Sequence, residues 1–415
     1  MAPLVGRLVD RVVPPALGRE FRPFLGSTWF SNLSDGVQLA AGPLLVASQT
    51  TSPSLVALAT VLQRLPWFLF GLGAGLMADR LDRRTILLVG NLLRVGVLAL
   101  VALAVAGDRI GIALVLIALF VLGTVETVAD ISAQSMVPSL VPDEQLGIAN
   151  ARIGFGFQGL NHLVGPPLGA ALFASAMAVP FMTQAVLLAF AALLVLRLEV
   201  PHVEPTATGS AREDLADGLR WVWNSPPVRT LAITIFVFNI TWGATFAIQV
   251  LYAIEVLELS ERGFGVFLAM SALGGLLGAS IYGWLEARFS LGGLMRVVLT
   301  YEVFSHLGFA LTTSAIVASV VLFLFGIGAT TWGTLNRSIR QRAVPEDLQG
   351  RVGAVYMIAV HTGLVIGGVV GGTIGSWFGI VAVYWYAFVG TAVLLALVWR
   401  ELPKIAHAGA PASAS

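Results

Sequence analysis

Long apolar stretches recur along the whole chain and are separated by short polar segments. Each stretch is about 20 residues or longer, the length an α-helix needs to cross the ~30 Å hydrocarbon core of a bilayer. The pattern predicts twelve membrane-spanning helices, although short breaks after Ala106 and Met177 leave the count open by one. The predicted helices cover 24–48, 54–77, 86–106, 110–135, 146–177, 180–199, 228–253, 264–285, 292–312, 315–336, 350–375 and 379–399. The fold class is therefore all-α and integral to the membrane.

The composition agrees with this interpretation. Of the 415 residues, 57% are hydrophobic and only 11% are charged, whereas a soluble domain carries about 25% charged residues. This excludes a soluble enzyme and a disordered chain, and a net charge of +1 gives no basic surface for nucleic acid. The chain has no Cys, and its five His are scattered. We therefore predict no catalytic residues, no cofactor and no metal site.

The distribution of basic residues predicts the orientation in the cytoplasmic membrane. With both termini in the cytoplasm, the outer loops hold only Arg109 and Arg262, and the inner segments hold most other cations. Such asymmetry is typical of multi-pass membrane proteins. The acidic outer loop with Glu255, Glu258 and Glu261 fits the same orientation.

The chain repeats itself at half length, with offsets of 203 to 208 residues. The aligned positions are Asn32 with Asn239, Gly36 with Gly243, 75–80 with 283–288, 141–147 with 344–350, and Gly165 and Gly169 with Gly368 and Gly372. We predict two pseudo-symmetric six-helix halves, 1–200 and 228–400. Residues 201–227 are predicted to be a cytoplasmic linker with a short amphipathic helix capped by Ser210, and 401–415 a disordered tail.

The segment GLMADRLDRR, between the second and third predicted helices, resembles the signature loop of the major facilitator superfamily. Gly75, Asp79, Arg80, Arg83 and Arg84 match that pattern, whereas Asp82 stands where the family has glycine. The sequences at 140–151 and 343–356 resemble the branch with the enterobactin exporter and macrolide efflux proteins. The resemblance implies a transporter whose signature loop forms a cytoplasmic gate.

In that gate, Gly75 would allow close helix approach, and Asp79 would face a helix N-terminus. The alternative is that the arginines only set the orientation.

A second segment, GPPLGA at 165–170, partly resembles a motif of drug–proton antiporters in the superfamily. Pro166 is expected to bend the fifth helix, and Gly165 and Gly169 to pack it against a neighbour across the two halves. The resemblance favours export over import.

Five ionisable residues fall inside predicted helices of the first half: Asp35, Arg64, Arg94, Glu126 and Asp130. Asp35, Arg94 and Glu126 are each predicted ~13–16 Å from the inner end of their helices, near mid-membrane. Buried charges are costly in a bilayer, so these residues are candidates for proton coupling or substrate binding. The alternative is a static ion pair, such as Asp35 or Glu126 with Arg94. Arg64 is also able to meet an anionic substrate.

For several other polar and aromatic residues, the sequence supports two alternative interpretations. Asn239, Trp242, Gln249, Trp332 and Asn336 are candidates for the wall of a central cavity, with ordinary helix packing as the alternative. Glu302 and His306, four residues apart, favour a local pair over a proton relay.

The function predicted from the sequence is export of an amphipathic small molecule (a drug, antibiotic or siderophore-like metabolite) by proton antiport. The expected partners are this substrate, protons and the lipid bilayer, and the protein is expected to be a monomer. The alternatives are an importer or a lipid flippase of the same fold, or a membrane sensor or enzyme without transport. A channel is disfavoured, because channels usually assemble a ring from several chains.

Overall fold

The computed structural model describes residues 14–199 and 211–406, and within them every regular element is helical. The helices are α1 Phe21–Gln49, α2 Pro53–Arg80, α3 Arg83–Ala106, α4 Ile112–Leu140, α5 over 146–175, α6 Val179–Val195, α7 Ala211–Asn224, α8 Pro226–Ala247, α9 Glu261–Arg288, α10 Leu291–Leu311, α11 Ala315–Ala343, α12 Gln349–Phe378, α13 Ile380–Val398 and α14 Leu402–Ala406. Single 3-10 turns occur at Pro15–Leu17, Asp143–Gln145 and Glu346–Leu348.

Each predicted membrane helix coincides with a long helix or helical segment of the described chain. Nine helices in the described residues are long and apolar enough to cross a membrane: α2, α3, α4 and α8 to α13. α1 is not among these nine, α6 has only 17 residues, and α5 is interrupted by a π-helical stretch, so the count of twelve spans stays a prediction.

The chain forms two compact units. The first comprises 1–45 and 69–207, and the second 46–68 and 208–415. Segment 46–68, which comprises the end of α1 and the first part of α2, thus lies in the second unit, although the repeat assigns it to the first half. The cause is local packing on α12: Ala57 lies against Gly372, and Val61 against Gly368. The Ser376 hydroxyl also donates to the Ser54 hydroxyl at 3.0 Å.

Serine and aspartate side chains start several helices. The hydroxyls of Ser260 and Ser290 accept hydrogen bonds of 3.2 Å from the third backbone N–H of α9 and α10, respectively. Asp82 accepts from the Arg84 and Thr85 backbone N–H groups at the start of α3. These contacts satisfy N–H groups that have no partner inside the helix.

Glycines bring α1 and α5 of the first unit into backbone contact. A Cβ atom on Gly165 would overlap the Gly36 backbone, and one on Gly169 would overlap Val37. The expected contact of this motif with the other half is therefore wrong. Its partner is α1, because Gly36 offers a face without a side chain.

The equivalent contact in the second unit joins α8 and α12. A Cβ atom on Gly367 would overlap Ile240 and approach Gly243, and one on Gly371 would overlap Ala244. By comparison with the first unit, Gly367 and Gly371 are the equivalents of Gly165 and Gly169. The sequence alignment with Gly368 and Gly372 was wrong by one residue, because glycines occupy both of these adjacent faces.

The irregularity expected at Pro166 takes the form of a π-helical stretch, Gly156–Val164, just before the two prolines. Pro166 and Pro167 lack the N–H groups that would bond to carbonyls four residues earlier. The wider helical turn places both prolines at the start of a fresh α-helical segment, Gly165–Ser175, where no such N–H is required.

The linker helix α7 and the tail helix α14 both pack into the second unit. The linker helix α7 rests on α12, where a Cβ atom on Gly218 would lie 2.7 Å from the Arg351 carbonyl oxygen and where Arg351 Nε binds Asp214 at 2.7 Å. The predicted cap Ser210 lies outside the described residues. Part of the tail predicted to be disordered is helical, because Leu402 and Ile405 are buried in the core. Residues 407–415 lie outside the described part.

We predict that Gly165→Ala destabilises the protein by about 1–3 kcal/mol, because its methyl group has no space beside Gly36. The matched control is Gly154→Ala, earlier in α5, where an added Cβ meets no described heavy atom within 4 Å. Helix propensity should make the control neutral or stabilising by up to about 1 kcal/mol. Thermal unfolding in detergent measures both, and equal melting temperatures for the two variants would refute the contact.

Candidate functional site

An ion pair buried in the first unit joins α1 to α3. An Arg94 guanidinium N–H donates to the Asp35 carboxylate, and another donates to the Ser31 hydroxyl at 3.2 Å. The side chains of Arg94 and Asp35 are 5% and 13% exposed. A pair this well shielded is held by strong electrostatic attraction, and removing one partner would leave an isolated charge.

The sequence around each partner explains its position. Gly36, next to Asp35, seats α1 against α5 and thereby fixes the rotation of α1. On α3, Arg94 belongs to a buried stripe with Leu87, Asn91 and Leu98, at helical spacing. Gly90 on that stripe lets α3 approach α4.

Two more carboxyls belong to the same site. Glu126 and Asp130 lie one turn apart on α4, and the charges of both act on the Arg94 guanidinium. Asp130 also interacts with Glu126 and Asp35. The structure thus brings together four of the five predicted charges: Asp35, Arg94, Glu126 and Asp130. We call these four residues the charge cluster.

Arg64, the fifth predicted charge, lies in segment 46–68 of the second unit. One turn further along, the Trp67 ring stacks on His361 of α12 with centroids 4.9 Å apart and an interplanar angle of 13°. The contact of Arg64 with an anionic substrate stays a prediction.

The signature loop forms contacts inside the first unit. Arg83 donates to the Ser135 carbonyl at 2.8 Å, and Arg84 donates to the Val195 and Leu196 carbonyls at the end of α6. Arg80 is exposed. These bonds give Arg83 and Arg84 a structural role beyond any effect on orientation.

Two gate residues remain, Gly75 and Asp79. A Cβ atom on Gly75 would meet no described heavy atom within 4 Å, and the close helix approach expected there stays a prediction. The side chain of Asp79 lies outside the described part of the structure, and its gating role stays a prediction.

Asp82, the residue that departs from the family pattern, caps α3. Its carboxylate accepts bonds from the Thr85 hydroxyl at 2.6 Å and from the Thr85 backbone N–H at 3.1 Å. Partial burial raises the pKa of Asp82, but these hydrogen bonds and the Arg84 charge outweigh burial, so the pKa lies below its ordinary value of 3.8. An aspartate at this position therefore stabilises the helix that carries Arg94.

The five candidate cavity residues of the second unit differ in their burial and contacts. Trp332 is only 7% exposed and lies in the hydrophobic core beside Phe238, which corrects its assignment to a cavity wall. Asn239 bonds to the Ile235 carbonyl of its own helix at 2.7 Å. Trp242, Gln249 and Asn336 are half-buried, and their contact with a substrate stays a prediction.

The local pair on α10 is confirmed, since His306 Nε2 lies 3.3 Å from Glu302 Oε1 and both side chains are buried.

Two contacts were missed by reasoning from the sequence. Ser31 lies four residues before Asp35, so the helical period alone places both on the face that receives Arg94. The stack of Trp67 on His361 had no such signal, because it joins residues far apart in the chain.

Comparisons with known proteins agree with one another. A family model described as transmembrane secretion effector matches residues 14–414. The multidrug efflux pump Tap of Mycolicibacterium fortuitum is 28% identical over 80% of this chain and 85% of its own length. The enterobactin exporter EntS of Salmonella typhi is 27% identical over 94% of this chain and 96% of its own length.

Solved structures share the fold at lower identity. The nucleoside transporter NupG superimposes with a TM-score of 0.73 at 12% identity, over 93% of this chain and 99% of that chain. A bacterial homologue of the human lysosomal transporter Spinster, inward-facing and occupied, gives 0.72 at 14% identity, over 95% and 97%. At this identity the likeness concerns the fold alone.

We predict that Asp82→Ala destabilises the protein by about 1 kcal/mol at neutral pH, because α3 loses its cap. Asp82→Asn keeps a capping oxygen and should cost less. Since the folded pKa is depressed, the charge-dependent advantage of wild type over Asp82→Asn is present above pH 3.8 and is lost as the pH falls through the folded value. Thermal unfolding across this range measures it, and an Asp82→Ala melting temperature equal to wild type would contradict the cap.

Proposed function

We propose that this chain, which belongs to the transmembrane secretion effector family, exports an amphipathic small molecule in exchange for protons. It is a multi-pass membrane transporter of the major facilitator type, with efflux pumps among its relatives. Export is supported by relatives whose names describe multidrug efflux and enterobactin export. We propose no catalytic activity for the chain.

The observation that carries proton coupling is the charge cluster of the first unit. If all four groups are ionised, three carboxylates and one guanidinium leave a net charge of −2. Uncompensated charge in a bilayer is expensive. Binding of one proton would reduce this charge to −1 and binding of two would neutralise the cluster, and a cationic group of a substrate would compensate the same negative charge. Protons and substrate would therefore compete for the same carboxylates, which is the elementary requirement of an exchanger.

We assign different roles to the members of the charge cluster. Asp35 accepts a hydrogen bond from Arg94, which also donates to the Ser31 hydroxyl, so this carboxylate is committed to Arg94. Glu126 and Asp130 repel each other across one turn of α4. We assign proton exchange to this α4 pair and the positioning of Arg94 to Asp35.

Alternating access would carry the cluster from one side of the membrane to the other. In this proposal both termini lie in the cytoplasm and the protein acts as a monomer. Asp79 and Arg80 gate the cytoplasmic side. The apolar part of the substrate contacts half-buried aromatic side chains such as Trp242, whose ring centroid lies 5.4 Å from that of Phe246.

The test is accumulation of fluorescent amphipathic compounds in an efflux-deficient bacterium. Wild type should lower accumulation, and a protonophore should abolish the difference. Glu126→Gln and Asp130→Asn should each reduce export at least about tenfold, because each removes a carboxylate that exchanges a proton. Expression is checked by fluorescence size-exclusion chromatography.

The matched control is Asp108→Asn. Asp108 is an exposed loop carboxylate with a φ of 51°, a conformation that asparagine also adopts readily. This variant should export like wild type. Export that survives the protonophore or the loss of both α4 carboxyls would refute proton coupling, and higher accumulation in wild type cells would reverse the direction.

A further inference from the structure

Arginines lie over tryptophan rings at several helix ends of the second unit. Arg229 at the start of α8 lies 5.6 Å from the centroid of Trp223, and Arg296 near the start of α10 lies 4.9 Å from that of Trp399. Each guanidinium also donates to the backbone carbonyl of its tryptophan, at 3.1 and 3.2 Å, respectively. The rings and carbonyls hold these two cations in fixed positions.

The two pairs belong to one continuous rim. α13 packs against both α8 and α10, so its end at Trp399 and Arg400 lies between them. α14 follows directly and seats on α10, where a Cβ atom on Gly292 would lie 3.0 Å from the Pro403 Cα. The chain topology places all these ends at the same membrane surface, predicted to be the cytoplasmic one.

The rim carries an excess of positive charge. Within 14–199 and 211–406, no carboxylate lies within 4.0 Å of the guanidinium groups of Arg229, Arg296 or Arg400. The nearby acid Glu401 is bound by Lys404 at 2.9 Å. The cations are therefore available to an external anion.

Exposed apolar side chains continue from this rim toward the membrane interior. Val297 is 64% exposed and follows Arg296, while Leu397 is 75% exposed and lies just before Trp399. Val393, one turn deeper on α13, is 53% exposed. The surface thus combines fixed cations at the interface with an apolar strip below them, the two chemistries that a phospholipid joins in one molecule.

We propose that the ends of α8, α10 and α13 form a binding site for an anionic phospholipid. Arg229, Arg296 and Arg400 contact the phosphate-bearing headgroup. Trp223 and Trp399 lie at the level of the glycerol backbone, and an acyl chain lies along Val297 and Leu397. The site includes no residue of the charge cluster, so this proposal does not depend on whether the chain exchanges protons for a substrate.

Thermal unfolding of the purified protein in a neutral detergent, titrated with phosphatidylglycerol or cardiolipin, tests this site. Anionic lipid should raise the melting temperature with saturation, whereas phosphatidylcholine at the same concentration should have little effect. Each of Arg229→Gln, Arg296→Gln and Arg400→Gln should raise the half-saturating lipid concentration about fivefold, as expected for one cation lost near an anionic headgroup.

Arg109→Gln is the matched control, because Arg109 is exposed in the loop between α3 and α4 at the opposite ends of the helices, and it should titrate like wild type. Arg400→Gln keeps the test valid if the other variants fold poorly, since Arg400 is exposed and its loss removes no described hydrogen bond. Equal stabilisation by phosphatidylcholine would contradict a site for anionic lipid, because the rim would then be an ordinary interfacial belt. Wild-type titrations for all three arginine variants would also overturn the site.

Discussion

The ion pair between Asp35 and Arg94 is the interaction on which the first unit depends. Removing either partner would strand a charge where the dielectric is low, which costs more than the pair itself contributes. The pair therefore ties α1 to α3 and fixes the guanidinium beside Glu126 and Asp130 of α4. In our account, one cation organises three carboxyls, and the excess of acid makes proton binding necessary.

The glycine contacts decide where this pair forms. Gly36 and Gly165 let two backbones meet, and Asp35 is carried to its position as the immediate neighbour of Gly36. The antiporter-like motif on α5 thus acts on the charge cluster through α1, rather than through the other half. Packing and electrostatics are joined in two consecutive residues of one helix.

The sequence alone predicted the helices and all four residues of the charge cluster, because apolar length and buried charge are properties of single segments. What it could not predict depends on pairs of segments. Arg64 joined the second unit because Ala57 and Val61 fit the glycines of α12. Trp332 is a core residue for a similar reason: nothing in its own helix tells which neighbour covers it. The tail helix formed because Leu402 and Ile405 found a buried site.

Proton release on substrate binding tests the central claim most directly. Purified protein in weakly buffered detergent, mixed with an exported compound, should release protons detected by a pH indicator. The variant that combines Glu126→Gln with Asp130→Asn should bind without release. Release of equal size from this variant, or binding to wild type without any release, would contradict the assignment of proton exchange to the charge cluster.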